Sequence, residues 1–408
     1  MKKLVTLICT FTLLLSFSGC GIEKPDLEQR STEKQETSAS GSDIKPFKIE
    51  DSFAVADLSD SFHVDAEISG YDVKKLSNYQ LAKTNLTEDS IAEKIMPAGG
   101  YKREEKNTGA IEFSSEKEKL SVQLVDMTSM RLMSTPNLTY SLDKGKEYES
   151  VLAYINPGTI ASDEDEEKAA YLVRDKLDKL GLDYDDLYVQ KADYEDLNNI
   201  YSQNLEEEKG WKDQPAGTDD ENSDDGEYLS ENAFLYSQGL YEPLDENFKF
   251  TPEDDVYVLK GRLLLGGLHF MSYQFFSYDI SAAVSSRGIE YLKVENLYST
   301  GNPYGEAETV SAEQAVDALF KAYEQSPAKD NVEVTVDHIE LTFLKQTSFD
   351  NFSSEALLTP SWWISYTLKY KDSGEALPRY CHVSAADGKI MTNFSDSLFE
   401  RASYEIPS

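Results

Sequence analysis

His63, Asp65 and Glu67 occupy every second position of one short stretch. On a β-strand, side chains two residues apart leave from the same face, so these three could converge on one cation. A solvated strand face has the same appearance, and three ligands on a flat strand rarely close a coordination shell. A second set lies in an acidic run, where Asp220, Asn222, Asp224 and Glu231 fall at ligand positions of a calcium loop. There the required glycine comes one residue late, at Gly226, with Asp225 in its place. Cys381 and His382 would pair a thiol with a base, but adjacent strand residues point to opposite faces. Cys381 shares its face with Val383 and Ala385, which marks it as a small core residue. Trp362 and Trp363 would offer a sugar-stacking platform if one faced water while the other packed inward.

Motifs with a fixed chemistry are missing. The chain holds no Gly-x-Ser-x-Gly, His-Glu-x-x-His, Cys-x-x-Cys or phosphate-binding glycine loop. Ser114-x-x-Lys117 and Ser326-x-x-Lys329 lack the partner motifs of penicillin-binding enzymes, and Gly266-Gly267 reads as a strand irregularity. With 75 Asp and Glu residues, no pair of carboxylates can be singled out as a glycosidase pair. No catalytic, metal or cofactor set is therefore assigned. His63, Asp65, Glu67, Trp362 and Trp363 remain as ligand candidates.

The amino terminus says more. Met1-Lys2-Lys3 precedes an apolar run from Leu4 to Phe17, followed by Phe17-Ser18-Gly19-Cys20-Gly21. A basic start, a short apolar core and small residues before a cut make a secretory signal peptide, too short to span a bilayer. The ending resembles the lipobox of bacterial lipoproteins, with Phe17 where an aliphatic residue is usual. That resemblance implies lipidation of the Cys20 thiol, palmitate included, and a membrane anchor on the extracytoplasmic face. The other cysteines are Cys9, inside the leader, and Cys381, so no disulfide is expected after processing. A net charge of −36 repels phosphate backbones and excludes nucleic acid as a partner. At 40% hydrophobic and 11% aromatic, the chain has the material for real cores.

The expected organisation follows from periodicity. Residues 1–19 form the signal peptide and 20–50, polar and without apolar period, a flexible tether. Residues 51–150 are read as an N-terminal α+β region: a strand at 62–68, a helix capped by Thr87, and strands near 109–114 and 119–127. Residues 160–300 form a first helix-plus-sheet module. Its helix opens on Ser162 and carries Ala169, Leu172, Val173, Leu177 and Leu180. An acidic loop at 204–227 interrupts the module, and strands resume at 255–271, 274–284 and 289–298. Residues 301–408 form a second module. Ser311-Ala-Glu-Gln314 caps its helix, with Ala312, Ala315, Val316, Leu319, Ala322 and Tyr323 on one face. In its first strand Val332, Val334 and Val336 alternate, then Ile339, Leu341 and Phe343 continue in the opposite phase. That slip at Asp337-His338 predicts a β-bulge.

The fold class is thus α+β, helices on antiparallel sheets, with helix–strand–strand–strand read as a duplicated unit. The stretch from Trp362-Trp363-Ile364-Ser365-Tyr366 to Tyr380-Cys381-His382 and Asp387-Gly388-Lys389 is similar to PepSY-like and YycI-like extracytoplasmic modules. The whole layout resembles uncharacterised lipoproteins of Gram-positive bacteria, a family that brings no activity. The expected role is non-catalytic binding or regulation at the cell envelope, toward a protein or peptide partner. An envelope hydrolase acting on polysaccharide or peptidoglycan, and a solute-binding lipoprotein, remain as alternatives.

Overall fold

In the computed structural model, the described residues are 52–70, 73, 75–96, 100–106, 109–124, 127–129, 132–213, 243–271, 278–347, 356–391 and 398–399. All lie within one compact unit, Pro46–Ser408. The leader and tether, Cys20 included, and the calcium-loop positions Asp220 to Glu231 fall outside them.

The chain opens with strands β1 (Phe53–Ser59), β2 (Phe62–Ser69) and β3 (Lys75–Lys83), then helix α1 (Glu88–Ile95). Next come β4 (Lys102–Glu105), β5 (Ile111–Ser114), β6 (Lys119–Gln123), the small hairpin β7 (Met127–Ser129) and β8 (Leu132–Ser134), and β9 (Asn137–Ser141). Helix α2 (Gly145–Leu152), β10 (Thr159–Ile160), α3 (Glu164–Leu180), β11 (Tyr188–Ala192) and α4 (Tyr194–Asp213) follow. After them run β12 (Val256–Gly261), β13 (Leu264–Leu265), β14 (Leu268–Met271), β15 (Ile280–Ser285), β16 (Gly288–Val294) and β17 (Tyr298–Glu308). Helix α5 (Ala312–Gln325) and the long strands β18 (Val332–Thr347), β19 (Ala356–Tyr370) and β20 (Ala376–Ser384) complete the order.

Two nine-stranded sheets carry the α+β fold. Sheet 1 runs β1-β2-β18-β19-β3-β17, with β20 also on β19 and the β13–β14 hairpin docked in parallel on β18. Sheet 2 runs β10-β11-β12-β15-β16-β9-β6-β5-β4, antiparallel throughout. The strands of residues 51–150 divide between them: β1–β3 join the carboxy-terminal strands, whereas β4–β6 and β9 join those of 188–294. The stretch 255–271, expected as one strand, breaks at Arg262, and its two halves enter different sheets. Gly266 and Gly267, with φ of 59° and 83°, form the two-residue turn joining β13 to β14. Left-handed conformations at both central positions are what a tight hairpin needs, and glycine adopts them without steric cost.

Sheet 2 is covered on both faces because its strands bury neighbouring residues on opposite sides. Leu259, Ala282 and Leu292 pack with α1 and α3, through Ile91, Ile95, Ala169, Val173 and Leu177. Val258, Ala283 and Tyr291, one residue away on the same strands, pack with α2 and α4. The helix caps follow the sequence closely. Thr87 and Ser311 form capping boxes with Ser90 and Gln314. The cap of α3 is Asp163, whose carboxylate accepts from the Asp165 and Glu166 amides, one residue beyond the expected Ser162. Leu172 on that helix is 39% exposed, outside the buried stripe.

Two corrections concern the modules. The duplication is not confirmed: four strands β11-β12-β15-β16 and an added helix stand in one unit, against three strands β18-β19-β20 in the other. The expected acidic loop is helical over its described part, residues 204–213. Its inner face is polar, which hid it. Leu197 and Tyr201 are followed at helical spacing by Asn204 and Glu208, both buried. Asn204 donates to the Ser150 carbonyl at 2.6 Å, and Glu208 accepts from the Leu244 amide at 2.9 Å. Replacing Glu208 with Ala leaves that buried amide unsatisfied, and urea unfolding is expected to show a loss of about 1–3 kcal/mol. A change below experimental error would mean that Glu208 is not needed to hold α4.

Candidate functional site

The phase slip in β18 builds a polar interior. Pairing with both β2 and β19 shifts between Val336 and His338, as the bulge expectation requires. Before the shift Val332, Val334 and Val336 face the core; after it Ile339, Leu341 and Phe343 do. Thr335, His338, Glu340 and Thr342 therefore share the other face. Cross-strand pairing adds His63 opposite Thr335, Trp363 opposite Glu340, His382 opposite Trp363, and His269 opposite Thr342. All four histidines of the chain thus lie on one face of sheet 1.

Glu340 is the centre of this face and only 2% exposed. His269 Nδ1 makes a short hydrogen bond to Glu340 Oε1. Arg262 Nη1 donates to Oε2 at 2.9 Å, and His338 Nε2 lies 3.4 Å from the same oxygen. The far side of the His269 ring ion-pairs with Asp185, Nε2 to Oδ2 at 3.0 Å, off the line of a good hydrogen bond. Arg262 directly follows β12 and Asp185 lies just ahead of β11, so the cluster stitches sheet 2 to sheet 1. Burial alone would raise the Glu340 carboxyl, but bonds from His269 and His338 and the charge of Arg262 outweigh it and hold it well below the usual range. Burial likewise opposes protonation of His269, yet Asp185 and Glu340 win and its pKa is raised. The contact with the His269 ring draws Asp185 below its ordinary value.

Nearby groups are equally committed. Asp279, pushed up to about 6 by burial, accepts from Asn296 Nδ2 at 2.6 Å and from the Leu263 amide at 2.9 Å. It pins the crossover next to Arg262. His382, pushed down to about 4 by burial, lies 3.1 Å from Ser361 Oγ and stays neutral. Its Nε2 finds no partner among the described residues. Cys381 is wholly buried and its thiol is pushed up to about 12 by burial, a core residue as expected.

The candidates singled out by spacing are placed differently. His63, Asp65 and Glu67 do share a face of β2, but His63 turns to Asp57, 2.6 Å away, and toward Glu333 at 3.8 Å. Among the described residues no group of three or more His, Cys, Asp or Glu side chains could hold a metal. Trp362 and Trp363 are both buried, at 1% and 8% exposure. Trp362 donates to the Val310 carbonyl at 2.9 Å, and the His338 ring lies 5.5 Å from Trp363. Neither offers a stacking platform to solvent, because the second face of sheet 1, expected to be wet, is covered at this point. Spacing missed His269, His338, Glu340, Arg262 and Asp185. The alternation His338-x-Glu340 directly after the slip was the available signal for two of them.

The surface also carries an open polar groove of about 630 Å³ on the α2 face of sheet 2. Beside the first turns of α2, Ser121, Thr139 and Ser141 of β6 and β9 line it, with Lys117, Lys119 and Lys146 among the charged residues around it. The Tyr291 hydroxyl lies buried beside Thr139 and Glu149 without a well-formed hydrogen bond. Gly145 lets α2 sit this close: a Cβ there would meet Ser141 Cβ at 2.1 Å. Beneath α2, fully buried Asp254 accepts from Lys144 at 2.6 Å and Arg287 at 3.0 Å. These bonds, with those from Thr251, overcome burial and hold its carboxyl down at about 2.

No family model matches the chain, and no curated protein does. Among solved structures it is similar to an uncharacterised protein from Eubacterium rectale, with 14% identity and a TM-score of 0.48. The match covers 84% of this chain and 93% of that one.

Breaking the cluster should cost more than an ordinary surface pair. Glu340→Ala leaves Arg262 and His269 facing each other without their anion, and denaturant unfolding is expected to show a loss of about 3–5 kcal/mol. The pH dependence has two limbs of opposite sign. Glu340, lowered from 4.5, contributes above that value and loses its contribution as pH falls. His269, raised from 6.5, contributes fully below that value and loses its contribution as pH rises through its folded pKa. The stability difference between the wild type and Glu340→Gln should therefore be largest at mildly acid pH and shrink on both sides. A difference that does not vary with pH would show that the cluster is not ionised as described.

Proposed function

We propose that the chain is a lipid-anchored extracytoplasmic protein with a binding or regulatory role at the cell envelope. The observation that carries the anchor is the leader, Met1-Lys2-Lys3 through the apolar run to Ser18-Gly19-Cys20. Among the described residues no helix is long and apolar enough to cross a membrane. In this reading the anchor is the lipid on Cys20, as the small-small-Cys ending of the leader suggests. The binding role draws on what the polar side chains already do. His269, Glu340, Arg262 and Asp185 are engaged with one another at the junction of two sheets, where they serve cohesion. Solvent meets hydroxyls and mixed charges in the groove, a surface suited to recognition by hydrogen bonds.

Two measurements test this. In a bacterial host fed labelled palmitate, the wild type is expected to carry label and sediment with membranes, and Cys20→Ala to lose the label and appear in the soluble or extracellular fraction. An unlabelled wild type would overturn the anchor. Capture from envelope extracts on the immobilised protein is expected to return a specific partner, and its absence would count against the binding role.

A further inference from the structure

Strand β1 ends sheet 1, and nothing among the described residues pairs with its outer side. The register shows which groups that side presents. Ser52 accepts from the Ile68 amide at 2.8 Å, and Ala54 and Ala56 stand opposite Ala66 and Val64. In an antiparallel pair, directly opposed residues alternate between exchanging both backbone bonds and exchanging none. Ser52/Ile68, Ala54/Ala66 and Ala56/Val64 are therefore the bonded pairs. The N–H and C=O groups of Phe53, Val55 and Asp57 point outward.

Two of those three residues also expose large apolar side chains, Phe53 at 44% and Val55 at 71%. Natural edge strands are blunted by proline, charged side chains, β-bulges or covering loops. The β1 sequence Phe-Ala-Val-Ala-Asp-Leu-Ser has neither proline nor lysine, and its bulge and its one charge, at Asp57 to Ser59, leave the Phe53–Ala56 stretch regular. On the same face the adjoining strands carry acid: Asp65 opposite Val55, Glu67 opposite Phe53, and Glu333 beyond them on β18. Asp57 is itself 83% exposed.

We propose that the outer edge of β1 is a docking strand for an extended, cationic polypeptide segment. That segment would add to sheet 1 through backbone bonds to Phe53, Val55 and Asp57, with basic side chains over Asp57, Asp65 and Glu67. The inference rests on the partner-binding reading above and gives that partner a place and a chemistry. Charge selects the occupant. A second copy of a chain with net charge −36 would bring its own acidic face against this one, whereas a basic strand is steered in. Strand addition draws affinity from the backbone and specificity from alternate side chains.

The test uses the full chain and a labelled peptide of alternating lysine and valine, read by fluorescence anisotropy and by hydrogen exchange. Binding is expected to protect the Phe53, Val55 and Asp57 amides and to weaken as salt rises. A peptide of alternating glutamate and valine should bind at least about tenfold more weakly. Val55→Pro removes an outward N–H that the β1–β2 ladder does not use, so it should unfold like the wild type yet bind at least about tenfold more weakly. Should Val55→Pro fail to fold, Val55→Lys, which keeps the backbone and adds a repelling charge, is expected to show the same loss. Equal binding by the folded edge variant would mean the peptide is held by surface charge alone and would overturn the proposal. Self-association abolished by the edge variant would overturn it in favour of a second copy. Neither result touches the palmitate or capture experiments, which do not use this peptide.

Discussion

Glu340 carries a negative charge at 2% exposure, and the joining of the two sheets depends on how that charge is compensated. Taking a carboxylate out of water is unfavourable unless cations and hydrogen bonds replace the lost solvent. Here the replacements come from three separate places: His338 two residues along the same strand, His269 on the β14 hairpin, and Arg262 at the point where the chain leaves sheet 2. Each requires a backbone device. The bulge in β18, placed before His338, moves His338 and Glu340 together off the face of Val334 and Val336, and the Gly266-Gly267 turn folds β14 back so that His269 arrives beside them. The buried Asp279 carboxyl fixes the chain immediately after Arg262.

A buried ion cluster is weak evidence for net stability, and what this one supplies is a geometric requirement. Apolar residues at these positions would tolerate many relative placements of the sheets. A carboxylate that needs Arg262 and His269 at hydrogen-bond distance tolerates few. The same logic operates under α2, where Asp254 gathers Lys144, Arg287 and Thr251 and so sets the helix that borders the open groove. The strongly acidic composition therefore divides in two. A few carboxylates are internal struts with fixed partners, and the many others give the surface its field. That field, with an unprotected edge strand beside Asp57, Asp65 and Glu67, gives the proposed partner its sign.

Much of the local structure was legible because it depends on neighbours in sequence. The Thr87 and Ser311 caps, the period-two pattern of β2, the apolar stripe of α5 and the bulge at Asp337-His338 all appear where the spacing puts them. The failures share one cause. Helix α4 was hidden because its buried face uses Asn204 and Glu208, whose partners lie 54 and 36 residues away. The stretch 255–271 looked continuous because no local signal says that β12 and β14 belong to different sheets.

By itself the sequence determined the α+β class, the Thr87 and Ser311 caps, the strand phases, the acidic field, and the expectation of a leader cut before Cys20. Those follow from composition and short-range spacing. Only the tertiary structure decided which strands share a sheet, that four histidines scattered from His63 to His382 meet on one face, and that Trp362 and Trp363 are both covered. It also decided that His63 takes Asp57 in place of Asp65 and Glu67. The reason is physical: a side chain's partner is chosen by burial and by the strand that happens to lie beside it, and neither is written within a few residues of its own position.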